Sequence, residues 1–361
     1  CEAERADSLA YADTLKSYRK LVHRSVGRIE CPEENLSVLF DVFDALDACR
    51  NSKQRLHILH YGDSQIEQDR ITSYIRERLQ MKFGGWGAGL VPAIQPIPTI
   101  SVGQTSSDSL PRYIADGTLR QKLSHNRYGV LAQMAELDGA VTLSFNARDW
   151  KKTFSRVKKF SRISLLVGKT SEDFSATIRG AGIDSTQKVV SPSEELSVIN
   201  WQLNDYTTSF SLQLKGKAEI YGVSMESPCG IFMDNIPLRG SSGTFFTRLS
   251  RSLLSRSAEA LNVRLILMEF GGNATPYLNS DDMVEGYKNN ISAQIRYVQK
   301  AFPKARVMVV GPADMSTMIG GELQTYPFLE SVIEAMRDAA LENGATSFMS
   351  AGTSPSCSST S

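Results

Sequence analysis

The 361-residue sequence has almost no charge imbalance: 40 Lys and Arg against 39 Asp and Glu leave a formal net charge of +1. No basic stripe interleaved with aromatics stands out, which excludes sequence-independent attraction to nucleic acid. Long hydrophobic runs are missing too, and none approaches the ~20 apolar residues needed to span a bilayer. The five cysteines (Cys1, Cys31, Cys49, Cys229, Cys357) form no CxxC pair and no metal-ligand spacing. No metal site and no cofactor are therefore expected. Histidine is scarce, with only His23, His57, His60 and His125.

What is present is the ordinary balance of a globular protein, 41% hydrophobic and 22% charged, in a chain long enough for two domains. It begins at Cys1, as a mature bacterial lipoprotein does after its signal peptide is removed. A membrane tether through a lipidated Cys1, in the periplasm or at the cell surface, is one expectation; an arbitrary boundary is the other. Cys31 and Cys49 could pair in an oxidising compartment.

Residues 1–50 read as helical, with Leu36, Leu39, Phe40, Phe43 and Leu46 at helical spacing. The apolar segment Leu56–Tyr61 runs into Gly62-Asp63-Ser64, and a helix bearing Ile71, Tyr74, Ile75 and Leu79 follows. That is strand, tight turn, helix. Gly84-Gly85-Trp86-Gly87-Ala88-Gly89 is not a phosphate loop, since no strand precedes it, no helix follows and no Lys succeeds the last glycine. It reads as a structured loop bordering a site.

Over 140–226 the period changes to two. Val141, Leu143 and Phe145 alternate with polar residues, as do Phe210, Leu212 and Leu214, and the spacing argues for a β-sandwich. Strand and helix then alternate again. Arg264–Phe270 ends in Gly271-Gly272-Asn273, and a helix capped by Ser280 carries Met283, Tyr287, Ile291, Ile295 and Val298. Val307–Val310 is a further strand, and a helix with Phe328, Val332, Met336 and Ala340 stops near Gly344. This rhythm predicts a parallel sheet covered on both faces, with its chemistry at the carboxyl ends of the strands. The predicted organisation is a helical segment 1–50, an α/β domain built from 51–135 and 228–361, and an all-β insert over 136–227.

Three features fall at such strand ends. Ser64 sits in a turn where its hydroxyl is exposed and backbone N–H groups converge. Gly240 follows the strand-like Gly230–Asn235, and its missing side chain permits close approach of the backbone. Asn273 follows the next strand. Each alone is commonplace, Gly-Asp-Ser above all as a turn, but the three occur in order at successive strand ends.

On these residues the chain resembles the SGNH (GDSL-type) hydrolases: Gly62-Asp63-Ser64 matches the first block, Gly240 the second and Asn273 the third. The resemblance covers about 55–90 and 228–345. It implies a flavodoxin-like sheet, Ser64 as nucleophile, and an oxyanion hole formed by the N–H groups of Ser64 and Gly240 and the Asn273 amide. Asp63 is expected to brace the turn. The β insert makes the chain similar to bacterial peptidoglycan O-acetylesterases, which implies an O-acetylated glycan, peptidoglycan or another polysaccharide, as substrate. Trp150, Trp201 and Tyr206 are candidate platforms for sugar rings. The family's last block, Asp-x-x-His after the final strand, has no counterpart. The run Ser350–Ser361 does not continue the strand beginning near Ala345, and an apolar face of the sheet is expected to lack the helix that would follow. Slow or absent turnover is the resulting expectation for this chain. Two other readings stay open: a non-catalytic glycan-binding protein on the same scaffold, and an O-acetyltransferase using the same serine.

Overall fold

The structure, a computed structural model, describes residues 28–51 and 53–349. Cys1, His23, Cys357 and the helix expected over 1–27 lie outside the described residues. In chain order come β1 (Ile29–Glu30), α1 (Phe40–Asn51), β2 (Arg55–Gly62) and α2 (Thr72–Phe83). Then follow β3 (Gly89–Val91), β4 (Val102–Ser106), β5 (Arg112–Ile114), β6 (Gln133–Ala147), β7 (Phe160–Thr170), β8 (Phe174–Gly180), β9 (Ile183–Val190), β10 (Ser197–Thr207) and β11 (Ser209–Glu226). The chain returns through β12 (Gly230–Pro237), α3 (Arg251–Leu261), β13 (Val263–Glu269), α4 (Asp281–Ala301) and β14 (Arg306–Val310). It ends with a hairpin, β15 (Ser316–Ile319) and β16 (Glu322–Thr325), then α5 (Leu329–Glu342) and β17 (Thr346–Phe348).

Strands β12, β2, β13, β14 and β17 form a parallel sheet in that spatial order, with β1 antiparallel on the β17 edge. Numbered along the chain, the parallel strands stand in the order 2-1-3-4-5. The order reverses at β2, so a crevice opens at the carboxyl ends of β2 and β13, where doubly wound sheets place their ligands. Helices α3, α4 and α5 bury Leu254, Ile291, Ile295, Val332 and Met336 on one face. On the other, α1 and α2 pack against Ile58, Met233 and Leu267. That second face, expected to lie bare, is thus largely covered from the N-terminal side.

The N-terminal reading needs correction. Pro32–Glu34 and Leu36–Leu39 are 3-10 turns, preceded by β1, and the α-helix starts only at Phe40. Its inward face is Leu39, Val42, Leu46 and Cys49, while Phe40 and Phe43 are exposed. The sheet thus takes the face beside the exposed aromatics. Cys31 and Cys49 are buried free thiols, not a pair. The α2 stripe is also displaced. Its buried face is Thr72, Ser73, Arg76, Glu77 and Gln80, with Ile75 and Leu79 at the margin. Of these, Thr72, Arg76, Glu77 and Gln80 are hydrogen-bonded to neighbouring segments. Gln80 Nε2 donates to the carbonyls of Gly87 and Ile231 at 3.0 and 2.9 Å, and Glu77 accepts from Ser155 Oγ and Arg156 N.

The period-two region forms a nine-stranded antiparallel sheet around the 18-residue β11, which pairs with β6 along one edge and with β8 and then β7 along the other. Two register shifts between Ala218 and Gly222 bend β11, as bulges do. The inward residues Leu143, Phe145, Phe160, Leu165, Phe210 and Leu212 share one core. Strands β3, β4 and β5, and the start of β6, belong to this sheet, so it begins well before residue 136, where the sequence placed the insert. The short length of β3–β5 and the prolines between them hid their pairing. On its other face Leu166 and Tyr221 join the core of the parallel domain.

Candidate active site

Strand β2 is buried from Leu56 to Gly62, which fixes its carboxyl end rigidly at the crevice. Asp63 follows as the cap of a 3-10 turn over Ser64–Asp69, its Oδ1 accepting from Gln65 N at 2.8 Å. Burial pushes the Asp63 carboxyl above the usual range against the pull of that N–H, and Glu269 adds to the rise. Ser64 is half-buried, and its carbonyl accepts from Arg70 Nη2 at 3.1 Å.

The turn is strained and pinned. Gln68 and Asp69 both adopt left-handed φ, +60 and +66, which non-glycine residues keep only where surroundings enforce it. Arg76 grips Asp69 through two hydrogen bonds of 2.8 and 3.0 Å and donates to the Met233 carbonyl. Ser101 donates to the same carboxylate. Arg239 grips Glu67 at 2.8 and 2.7 Å, and Asn235 donates to the Ile66 carbonyl.

Gly240 lies beyond β12 with φ +78. A Cβ there would sit 2.6 Å from Thr118 Cγ2, so glycine is required both for conformation and for space. Leu238 N donates to Gly62 O at 2.8 Å, which ties this segment to the end of β2. Tyr287 on α4 donates to the Ser242 carbonyl at 2.8 Å and holds the loop from the other side.

Asn273 links these two segments. Its Nδ2 donates to Asp63 Oδ2 at 2.9 Å and to Ser241 O at 3.2 Å. The structure therefore brings together the residue before Ser64, the residue after Gly240, and Asn273. Both hydrogens of the Asn273 amide are engaged within the protein. Among the described residues, the backbone N–H groups of Ser64 and Gly240 and the Ser64 hydroxyl have no partner.

The described histidines are elsewhere. His57 is fully buried, with Nδ1 2.7 Å from Asp234 Oδ2; its Nε2 lies 3.2 Å from Glu226 Oε1, close enough for an ion pair but not aligned as a hydrogen bond. His60 bridges Thr72 and Glu269 at 2.9 Å each, and His125 sits against Glu219 and Arg127 N. Trp201 is buried in the β core, its Nε1 donating to Thr186 O, which removes it as a sugar platform. Trp150 and Tyr206 are exposed, with the Arg148 guanidinium over Trp150 and the Lys159 ammonium over Tyr206. The supporting residues Glu67, Asp69, Arg76 and Arg239 carried no sequence signal, since each acts by a contact across the fold, and Tyr287 was legible only as a periodic position of its helix.

No protein-family model matches the chain, and no curated protein matches it. Among solved structures, a peptidoglycan O-acetylesterase shares the fold at TM-score 0.66 and 15% identity, over 87% of this chain and 83% of that chain. A family two carbohydrate esterase from Cellvibrio japonicus aligns at TM-score 0.26 and 7% identity, over 69% of this chain and 88% of that chain. The fold, a parallel α/β sheet joined to an antiparallel β sheet, is shared with that peptidoglycan O-acetylesterase.

Proposed function

We propose that the chain is a serine esterase of the SGNH type directed at O-acetylated glycans, with Ser64 as nucleophile. The observation that carries this is the pair of unpartnered N–H donors, Ser64 and Gly240, at the reversal point of the sheet, on a turn held in a strained conformation. In this reading Ser64 Oγ attacks the acetyl carbonyl, and the two N–H groups stabilise the tetrahedral anion. Asn273 joins them by releasing Ser241 O while Asp63 holds its other hydrogen. The acetyl group leaves the sugar as the ester of Ser64, and water then releases acetate.

No described histidine touches Ser64, so its proton has no positioned acceptor among the described residues, and those residues alone would turn over slowly or not at all. The same observation favours a second reading, glycan binding without hydrolysis, and the acyl acceptor, water or a sugar hydroxyl, belongs to the proposal as well.

Mass spectrometry after exposure to a serine-directed phosphonate tests the nucleophile. Slow labelling confined to Ser64 is expected, with Asn273→Ala slowing it on the order of 10²-fold or more, as loss of an oxyanion donor does. Labelling as fast as in a complete triad would show that a base reaches Ser64, and no labelling at all would remove Ser64 as nucleophile.

A further inference from the structure

The even charge balance of the whole chain conceals one strongly basic stretch. Residues 148–159, which connect β6 to β7, hold Arg148, Lys151, Lys152, Arg156, Lys158 and Lys159 against a single carboxylate, Asp149. Lys158 engages Asp149. Lys151, Lys152, Arg156 and Lys159 have no ion-pair partner among the described residues.

Several of these cations are held in place. The Arg156 guanidinium stands 4.4 Å and the Lys159 ammonium 4.1 Å from the centre of the Trp86 ring, and Arg148 stands 4.0 Å over Trp150. The electron-rich face of an aromatic ring fixes a cation in this way. The backbone is fixed as well. Glu77 accepts from Ser155 Oγ and Arg156 N, Gly87 N donates to Arg156 O at 2.8 Å, and Val157 is buried. An anion therefore meets a preformed array and little has to be ordered when it binds.

The loop is also tied to the Ser64 turn. Arg148 N donates to Ser101 O and Thr153 Oγ1 to Ile100 O, while Ile100 N donates to Gln68 O and Ser101 Oγ to Asp69. Only Ile100 and Ser101 stand between the basic loop and the turn. Arg148 lines a surface groove with Gln104 and Ser106, and Gln95 lines both that groove and the cavity against Gln68 and Asp69. A nucleic acid or a phospholipid surface would match the charge, but neither carries an O-acetyl group for Ser64. An acidic polysaccharide offers both.

We propose that the loop 148–159 docks the carboxylates of a uronate-type polysaccharide whose O-acetyl groups the Ser64 site then meets. This rests on the glycan reading of the Ser64 site and narrows its substrate class to polyanionic chains. Selection is by charge at the edge of the crevice, with the aromatic rings serving to position the cations.

Calorimetric titration with sodium polygalacturonate, and with dextran as a neutral chain, tests it on the wild type, Lys151→Glu/Lys152→Glu and Lys300→Glu/Lys304→Glu. Lys151 and Lys152 are exposed and unpaired, so their reversal leaves the fold intact; Lys151→Gln/Lys152→Gln replaces it if circular dichroism shows otherwise. Lys300 and Lys304 precede β14 at the amino end of the parallel sheet, opposite the crevice, and their reversal changes the net charge equally. Polygalacturonate is expected to bind the wild type at least about tenfold more tightly than dextran, and to weaken at least about tenfold as salt rises from about 0.05 M to about 0.5 M. The loop reversal should weaken it at least about tenfold and the distant reversal no more than about twofold. No binding of polygalacturonate, equal affinity for dextran, or equal loss in the two variants would overturn the docking site. So would tighter binding to phosphatidylglycerol vesicles or to single-stranded DNA. Binding needs no turnover: selective binding without phosphonate labelling sinks the esterase alone, and labelling without selective binding sinks the docking site alone.

Discussion

Replacing His57 by Gln tests how the two sheets are joined. His57 lies on β2, Asp234 on the neighbouring β12, and Glu226 is the last residue of β11 in the antiparallel sheet. Arg55, itself half-buried, donates to Glu226 at 2.7 Å, so the cluster spans the domain junction with His57, Asp234 and Glu226 fully buried. Burial alone would push the His57 imidazole towards neutrality, but Asp234 and Glu226 outweigh it and hold the pKa up at about 9. Glu226 is correspondingly held down at about 2, His57 and Arg55 overcoming its own burial. With an unfolded value of 6.5, the histidine shift corresponds to about 3 kcal/mol. The folded-state pKa is raised, so this stabilisation is complete below about pH 6.5 and disappears as the pH climbs through about 9. Urea unfolding followed by circular dichroism at pH ~6 and pH ~10 should show the wild type losing about 3 kcal/mol more than His57→Gln over that interval. The variant should start lower, because the buried Asp234 carboxylate loses its cationic partner and Glu226 is left with Arg55 alone. Parallel stability curves for the two proteins would refute the assignment of a charged His57.

Three further outcomes follow from the structure. Arg76→Met should destabilise the fold by about 3–5 kcal/mol in urea melts, because it strands the buried Asp69 carboxylate, and should blunt phosphonate labelling by letting the Ser64 turn relax. Gly87→Ala should destabilise by about 2 kcal/mol or more in the same melts, since φ there is +102 and a Cβ would fall 2.2 Å from the Met225 carbonyl oxygen. Acidification through the range between 4.5 and about 2, where the folded Glu226 finally protonates, should remove a stabilisation that is fully present at neutral pH, readable as a fall in melting temperature steeper than that of Glu226→Gln.

The parallel strands were legible because each ends in residues that permit only a turn, and the three candidate residues stand at those ends. The helices α4 and α5 were legible for the same reason that they fold: Ser280 caps one by accepting from Met283 N, and Gly344 closes the other with φ +70. The face of α2 was misread because hydrophobic periodicity assumes an apolar partner, whereas this helix packs its polar side into a bonded interface. The glycine-rich run 84–89 reads in the sequence as a structured loop, but its purpose needed coordinates: Gly85 passes within contact of Ile231, and Gly89 leaves room for Asp234 Oδ1. The β15–β16 hairpin gave no warning at all, since its exposed Met318 and Leu323 break the alternation that marks a strand.

The chain leaves the parallel domain at Gly84-Gly85 and re-enters it at Gly230, and those two crossings touch: a Cβ on Gly230 would lie 2.4 Å from Gly85 Cα, and Ile231 N donates to Gly84 O. An ancestor without the antiparallel sheet needs only a tight link from residue 84 to residue 230, whose closure entropy is small. Such an excision would bare the polar flank of α2, which water can solvate, but also the apolar side chains of Leu59, Tyr61 and Ile236, which now share a core with Leu131, Leu166 and Tyr221. Glu77, which now fastens the added sheet through Ser155 and Arg156, would then face water, while that apolar patch would need a new cover.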